Sequence, residues 1–275
     1  SVLEWNRPTS AGNASITGAG MTPDLVMHFY SGLQSSPETL SGSLLSLGVM
    51  DKFGNQWVSE ISIGFGVASN DRIQRTDRCL FNQYYSAGYV TQVQASYVSM
   101  DSDGFTLNFA TAGGDSFYKG LPVFSICING LHAWAGSFNK ATGGAPASQA
   151  VTGVPLGGTK RGLMLVSDQN TTSTTGASHA RLGLGASDGT NERAAAAHAK
   201  DDVSTSETDA ITSTTKVFIK VNNSTPAVDA EADLTSLDSG GFTLSWSTND
   251  AVATEVLFVE FADKVGSETK SRIRA

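Results

Sequence analysis

The chain has 275 residues, of which 40% are hydrophobic and 16% are charged, with a formal net charge of −8 at pH 7. The charged share is well below the usual quarter, and Gly, Ser, Thr, Ala and Asn fill the gap, which suits short strands and tight turns rather than helices. An acidic chain without a basic stripe excludes nucleic-acid binding, since phosphate affinity comes from Lys and Arg, and no apolar run reaches the length of a membrane span.

In chain order, Ser1-Val2-Leu3-Glu4-Trp5 lacks the basic start and apolar stretch of a secretory signal. A soluble protein made in a reducing cytoplasm is expected, with Ser1 fitting removal of an initiator Met. Residues 1–15 read as an N-terminal arm that orders on binding. Residues 16–140 read as one β-sandwich unit. Within it, Leu25-Val26-Met27-His28-Phe29-Tyr30-Ser31 is an apolar strand, followed by a polar connection at 34–42. Ile63-Gly64-Phe65-Gly66-Val67 is a strand whose glycines suggest a bulge or close backbone approach. Val93, Ala95 and Tyr97 alternate with polar residues, Asp101-Ser102-Asp103-Gly104 turns the chain, and Phe105, Leu107 and Phe109 alternate again, which is a hairpin pattern. A polar connection at 113–120 precedes a buried strand over 123–128. Residues 136–150 are small and polar and read as a flexible linker.

The same landmarks then recur, and repeats of this kind govern the whole fold assignment. Ile16-Thr17-Gly18 is matched by Val151-Thr152-Gly153 (151 − 16 = 135), and the strand at Leu25 by Leu163-Met164-Leu165-Val166-Ser167. Ile63-Gly64-Phe65-Gly66 is paired with Leu182-Gly183-Leu184-Gly185 (182 − 63 = 119), so the second copy is expected to be shorter there. The clearest match sets Asp101-Ser102-Asp103-Gly104-Phe105-Thr106-Leu107 against Asp238-Ser239-Gly240-Gly241-Phe242-Thr243-Leu244 (242 − 105 = 137). An apolar strand over 256–261 closes the second copy. The expected fold is all-β: two tandem related antiparallel β-sandwich units of the jelly-roll or lectin-like kind, 16–140 and 141–264, with six to eight strands each. A basic C-terminal tail, 265–275, follows and extends the run that begins at Lys264. The connections at 167–178 and 200–215 are polar. The alanine run at 194–199 suits a helical turn, but its assigned counterpart at 75–82 does not.

Candidate chemistry is sparse. Asp101-Ser102-Asp103-Gly104 resembles the opening of a calcium loop, but its twelfth position is Ala112 and Gly240 replaces Asp103 in the second copy, so a tight turn explains it better. His28, His132, His179 and His198 show no metal-ligand spacing. Gly183-Leu184-Gly185-Ala186-Ser187-Asp188-Gly189 is neither a nucleophile elbow nor a dinucleotide fingerprint. Glu60 and Glu260 are the notable strand carboxylates. Cys79 and Cys127 are too few for a disulfide framework; buried thiols are expected, with a single bridge as the alternative. No catalytic, cofactor-binding or metal residue is assigned.

Thr17, Gly18, Gly20, Pro23, Asp24, Leu25 and Val26, with Ser62-Ile63-Gly64-Phe65-Gly66-Val67, resemble a poorly characterised family of virion structural proteins of tailed bacteriophages. Met21 stands where that family has an aromatic, and Pro155 lies earlier in the second copy. The resemblance implies a lectin-like sandwich and a virion role without an active site: capsid decoration, head fibre or tail protein, assembled with other virion proteins and as a homo-oligomer. The alternative is a carbohydrate-binding module for host glycans, stacking sugars on Trp57, Tyr84, Tyr85, Tyr89, Tyr118 and Trp134.

Overall fold

The computed structural model describes all residues except 33–42, 64–69, 86–88, 114–121, 172–173, 202, 204–206, 226 and 265–275. The described residues form strands and turns with no helix. The first ten strands are β1 (Val2–Asn6), β2 (Gly12–Thr17), β3 (Leu25–Tyr30), β4 (Ser43–Asp51), β5 (Gln56–Ile63), β6 (Asn70–Arg75), β7 (Leu80–Tyr85), β8 (Tyr89–Asp101), β9 (Gly104–Thr111) and β10 (Pro122–Ile128). The remainder are β11 (Leu131–Asn139), β12 (Ala147–Thr152), β13 (Lys160–Ser167), β14 (Ala177–Ser178), β15 (Ala180–Ser187), β16 (Glu192–Ala199), β17 (Thr208–Ser213), β18 (Phe218–Val221), β19 (Val228–Asp238), β20 (Gly241–Thr248) and β21 (Glu255–Asp263).

Four antiparallel sheets result. The first unit pairs a large sheet, β1-β10-β3-β4-β5-β6 with β14 added at its edge, with a small sheet, β2-β9-β8-β7. The second unit pairs β11-β21-β13-β15-β16-β17 with β12-β20-β19-β18. Apart from β14, the two strand orders are the same, strand for strand. Each unit encloses its own core. Ile16, Val26, Leu80, Val93, Phe105, Leu107 and Phe109 fill the first, and Val151, Leu163, Phe218, Phe242, Leu244 and Trp246 the second. A third apolar cluster, with Leu25, Leu47, Val49, Trp57, Val166, Leu257 and Val259, lies between the two large sheets. The molecule is therefore a stack of four sheets, small, large, large, small, and both large sheets are apolar on two faces. Near-continuous apolar runs such as 256–259 follow from that double burial.

Two expectations change, and the alanine run, for which no helix is assigned, is a strand. The first fifteen residues hold β1 and the start of β2, each hydrogen-bonded in a sheet, and the Ser1 ammonium donates to the Cys127 carbonyl at 2.9 Å. The presumed linker holds the end of β11, which pairs with β21 from Leu131↔Asp263 to Asn139↔Glu255. The division between units consequently falls near Asn129-Gly130, ahead of residue 140, and each unit has ten strands or more. The alanine run 194–199 is strand β16, because alternate alanines there face the small sheet and the open face.

The third landmark also has a different partner. By strand order β15 corresponds to β4, which matches Gly185 with Gly48 (185 − 48 = 137). A Cβ on Gly48 would overlap the Cys79 carbonyl, and one on Gly185 would overlap the Val217 carbonyl. Both glycines permit the same close approach of the chain just ahead of a small-sheet strand, and the offset of 137 shows no shortening there. Residues 64–69, which the sequence set against 183–187, lie outside the described residues.

Candidate functional site

The Asp101 turn is a structural bracket. Ser99 Oγ and Thr106 Oγ1 donate to the two Asp101 carboxylate oxygens at 2.8 and 2.7 Å, and Asp103 accepts from the backbone of Gly18 and Gly20 at 3.1 and 2.6 Å. Ser236 and Thr243 bracket Asp238 at the same distances of 2.8 and 2.7 Å. Gly104 and Gly241 both have φ of 148°, a left-handed conformation suited to glycine. The carboxylates that resembled a calcium loop are thus engaged by protein donors, and among the described residues no group of three or more His, Cys, Asp or Glu could hold a metal ion.

The histidines are scattered through the scaffold. His28 is fully buried and its Nδ1 lies 2.8 Å from Ser125 Oγ; burial pushes its pKa down to about 3. His179 accepts from the Asp201 backbone at 2.9 Å, and its ring lies 6.4 Å from that of His198. Sequence spacing did not reveal that pair, because β15–β16 pairing brings the two histidines together. Cys79 and Cys127 are both free and buried, and burial raises the Cys79 thiol to about 12. Glu60 and Glu260 lie in different units. Burial drives the Glu60 carboxyl well up despite a hydrogen bond from the Gln83 backbone at 3.0 Å, whereas Glu260 is ion-paired to Lys160 at 2.7 Å.

A second matched device sits where the first strand of each unit ends. Arg7 is buried and donates to the Ala112 carbonyl and, at 3.2 Å, to that of Gly113. Lys140 follows β11 as Arg7 follows β1. It donates to Asn249 Oδ1 at 2.5 Å and to the Asp250 carbonyl at 2.7 Å, the positions 137 residues after 112 and 113 (249 − 112 = 137; 250 − 113 = 137). Each cation ties the first strand to the loop before the last, which is how a buried charge is tolerated. Neither basic residue stood out in the sequence.

An arrangement of binding-type side chains with one exposed aromatic spans both units. Phe53, half exposed at the β4–β5 turn, lies 5.6 Å from the Trp134 ring and 6.3 Å from His132. Lys52 sits 5.3 Å over the Phe53 ring and 3.0 Å from Asp24. Asp24 also pairs with Lys264 at 2.8 Å and accepts from Gly130 at 2.8 Å. Burial would raise its pKa, but the bonds from Lys264 and Lys52 bring the net shift below the usual value. An aromatic edge beside a cation can stack a sugar ring, while Asp24 is buried and engaged by its own chain. Of the aromatics expected to do so, Trp134 is here, Trp57 is fully buried, and the side chains of Tyr84, Tyr85, Tyr89 and Tyr118 lie outside the described residues. Lys264 is the described member of the basic run; Lys270, Arg272 and Arg274 lie outside the described residues.

No protein-family model matches the chain, and neither a curated protein nor a solved structure is significantly similar to it.

Proposed function

We propose that this chain is a non-enzymatic structural component of a bacteriophage particle, a capsid decoration protein, head fibre or tail protein of lectin-like sandwich type. It is made in the host cytoplasm and assembles with other virion proteins and with further copies of itself. The observation that carries this reading is the matched use of chemically capable side chains. Asp101 and Asp238 bracket equivalent turns, and Arg7 and Lys140 tie equivalent strands. These four charged groups are engaged, in both units alike, in holding a scaffold. Such a scaffold suits a part that sits on a repeating lattice and presents loops and edges. Mass spectrometry of purified particles from a phage encoding the chain tests this. Peptides at a stoichiometric ratio to a capsid or tail protein are expected; particles of full infectivity that lack the chain refute it.

The exposed Phe53 beside Trp134 and Lys52 favours a second reading, attachment to host glycans. On that reading a saccharide array gives a specific signal, and Phe53→Ala weakens it about tenfold, the worth of one stacking contact. A pure decoration role predicts no saccharide preference.

A further inference from the structure

The two units differ at one edge. In the first unit the edge strand β6 is closed by β14, with Arg72↔Ala177 and Asp71↔Ser178 in register and the Arg72 guanidinium bonded to the carbonyls of Ser178 and His179. Its counterpart in the second unit, β17, has β16 on one side and no described strand on the other. The apolar layer between the large sheets runs out toward that edge as a groove of about 550 Å³, whose walls include Phe29, Met164, Leu184 and Ala195 and whose rim is Thr212–Thr214. The unpaired edge therefore continues an interface the molecule already uses between its own halves.

The register shows which backbone groups of β17 point away from β16. The Lys200 N–H donates to the Glu207 carbonyl at 2.9 Å, so 200 and 207 form a hydrogen-bonded pair. With Ala199↔Thr208 and Ala197↔Ala210 in register, such pairs alternate along the ladder. Asp209, Ile211 and Ser213 then bond inward to β16, while Thr208, Ala210 and Thr212 aim their N–H and C=O groups outward. Edges of this kind are usually blunted by Lys, Pro or a bulge. β17, Thr-Asp-Ala-Ile-Thr-Ser, has none of these, and its one charge, Asp209, faces His198 at 3.7 Å within the same chain.

We propose that β17 pairs antiparallel with β17 of a second copy about a two-fold axis at Ala210, joining two six-stranded sheets into one. The outward residues read Thr-Ala-Thr in either direction, so Thr208 meets the partner's Thr212 and Ala210 meets its own copy. A two-fold contact requires this self-complementarity, and facing Thr and Ala suit neighbouring strands. Glu207 is already held by Lys200 at 2.7 Å within its own chain. The same axis sets Glu207 opposite the partner's Ser213, next to the partner's Thr214, whose carbonyl holds the Arg193 guanidinium at 2.8 Å in each chain. The contact deepens the homo-oligomer in the reading above and does not depend on the particle being a phage.

Sedimentation of the full chain over micromolar to 100 µM tests it. A concentration-dependent dimer is expected. Ala210→Pro, which removes an outward N–H and leaves the bonds to β16, is expected to give a monomer with unchanged circular dichroism. Ala210→Cys is expected to form a disulfide-linked dimer under mild oxidation, because paired Cα atoms about 5.5 Å apart fall within bridging range. Thr208→Cys alone is expected not to cross-link, but to do so when mixed with Thr212→Cys. A parent chain that stays monomeric overturns the proposal. So does a dimer that survives Ala210→Pro, and should that variant fail to fold, a dimer in which Ala210→Cys does not cross-link overturns it equally. Particle proteomics reads the virion role separately.

Discussion

Among single residues, Asp168 has the clearest consequence for pH. It is fully buried at the end of β13, its Oδ1 accepting from the Asn170 backbone at 2.9 Å. Burial raises its pKa to about 7 from an ordinary 3.8, outweighing the attraction of Arg72 and Arg181. The folded state thus binds a proton more tightly than the unfolded chain does. The associated stability is fully present below pH 4 and is lost as pH rises through 7. Asp168→Asn keeps the carbonyl acceptor and cannot ionise, so its denaturation free energy is expected to fall less than the parent's between pH 4 and 8, by a few kcal/mol. His28 opposes this trend in both proteins, since its depressed pKa removes stability as pH falls below 6.5 toward 3. Only the difference between variant and parent isolates Asp168, and parallel curves would refute the assignment.

At the level of strands and turns, the Asp101 and Asp238 brackets are equivalent and share no partner, so their contributions are expected to be independent. Asp101→Ala and Asp238→Ala each leave two hydroxyls without their acceptor, a loss of about 1–3 kcal/mol. The double variant is expected to lose the sum within about 0.5 kcal/mol. A coupling above 1 kcal/mol, measured by urea denaturation, would contradict that. These turns were also the most legible elements in the sequence, because a bracketed hairpin fixes residue types at each position: Asp for the hydroxyls, Gly for φ of 148°, Thr and Phe for the two faces. β3 and β13 were legible through their apolar runs. β4 and β15 were not: Leu45, Leu47, Gly48 and Asp51 recur 137 residues later as Leu182, Leu184, Gly185 and Asp188, but Gly64-Phe65-Gly66 mimics Gly183-Leu184-Gly185 more closely and drew the match away. β11 was hidden for a different reason. Gly136 in that strand makes room for the Phe258 ring, and a glycine among small polar residues reads as a linker until its partner strand is known. Arg7 and Lys140 escaped notice because a buried cation leaves no spacing pattern when the partners that tie it to the opposite loop, Ala112 and Gly113 or Asn249 and Asp250, lie more than a hundred residues away.

For the whole molecule, the decisive feature is the apolar layer between the two large sheets. Trp57 is fully buried in it and its indole N–H donates across the layer to the Phe258 carbonyl at 2.8 Å. Gln74 reaches across in the same way to Glu255, through the backbone carbonyl at 3.1 Å and the carboxylate at 3.0 Å. Among the described residues, each large sheet therefore has one apolar face that the other unit covers. Calorimetry of the parent is expected to show one cooperative transition, since unfolding either unit exposes the layer on the other. Trp57→Ala removes the largest side chain in the layer and its hydrogen bond, a loss of about 3–5 kcal/mol. Because that loss falls on the coupling between units more than on either core, the transition is expected to broaden or divide into two. Phe105→Ala, which opens a cavity of comparable origin inside the first core, lowers the stability of that unit while leaving the contact between units intact. Its transition should shift to lower temperature and stay single. If both variants gave the same undivided, shifted transition, the layer would be an ordinary part of one core, and the reading of the molecule as two sandwiches joined face to face would lose its thermodynamic content.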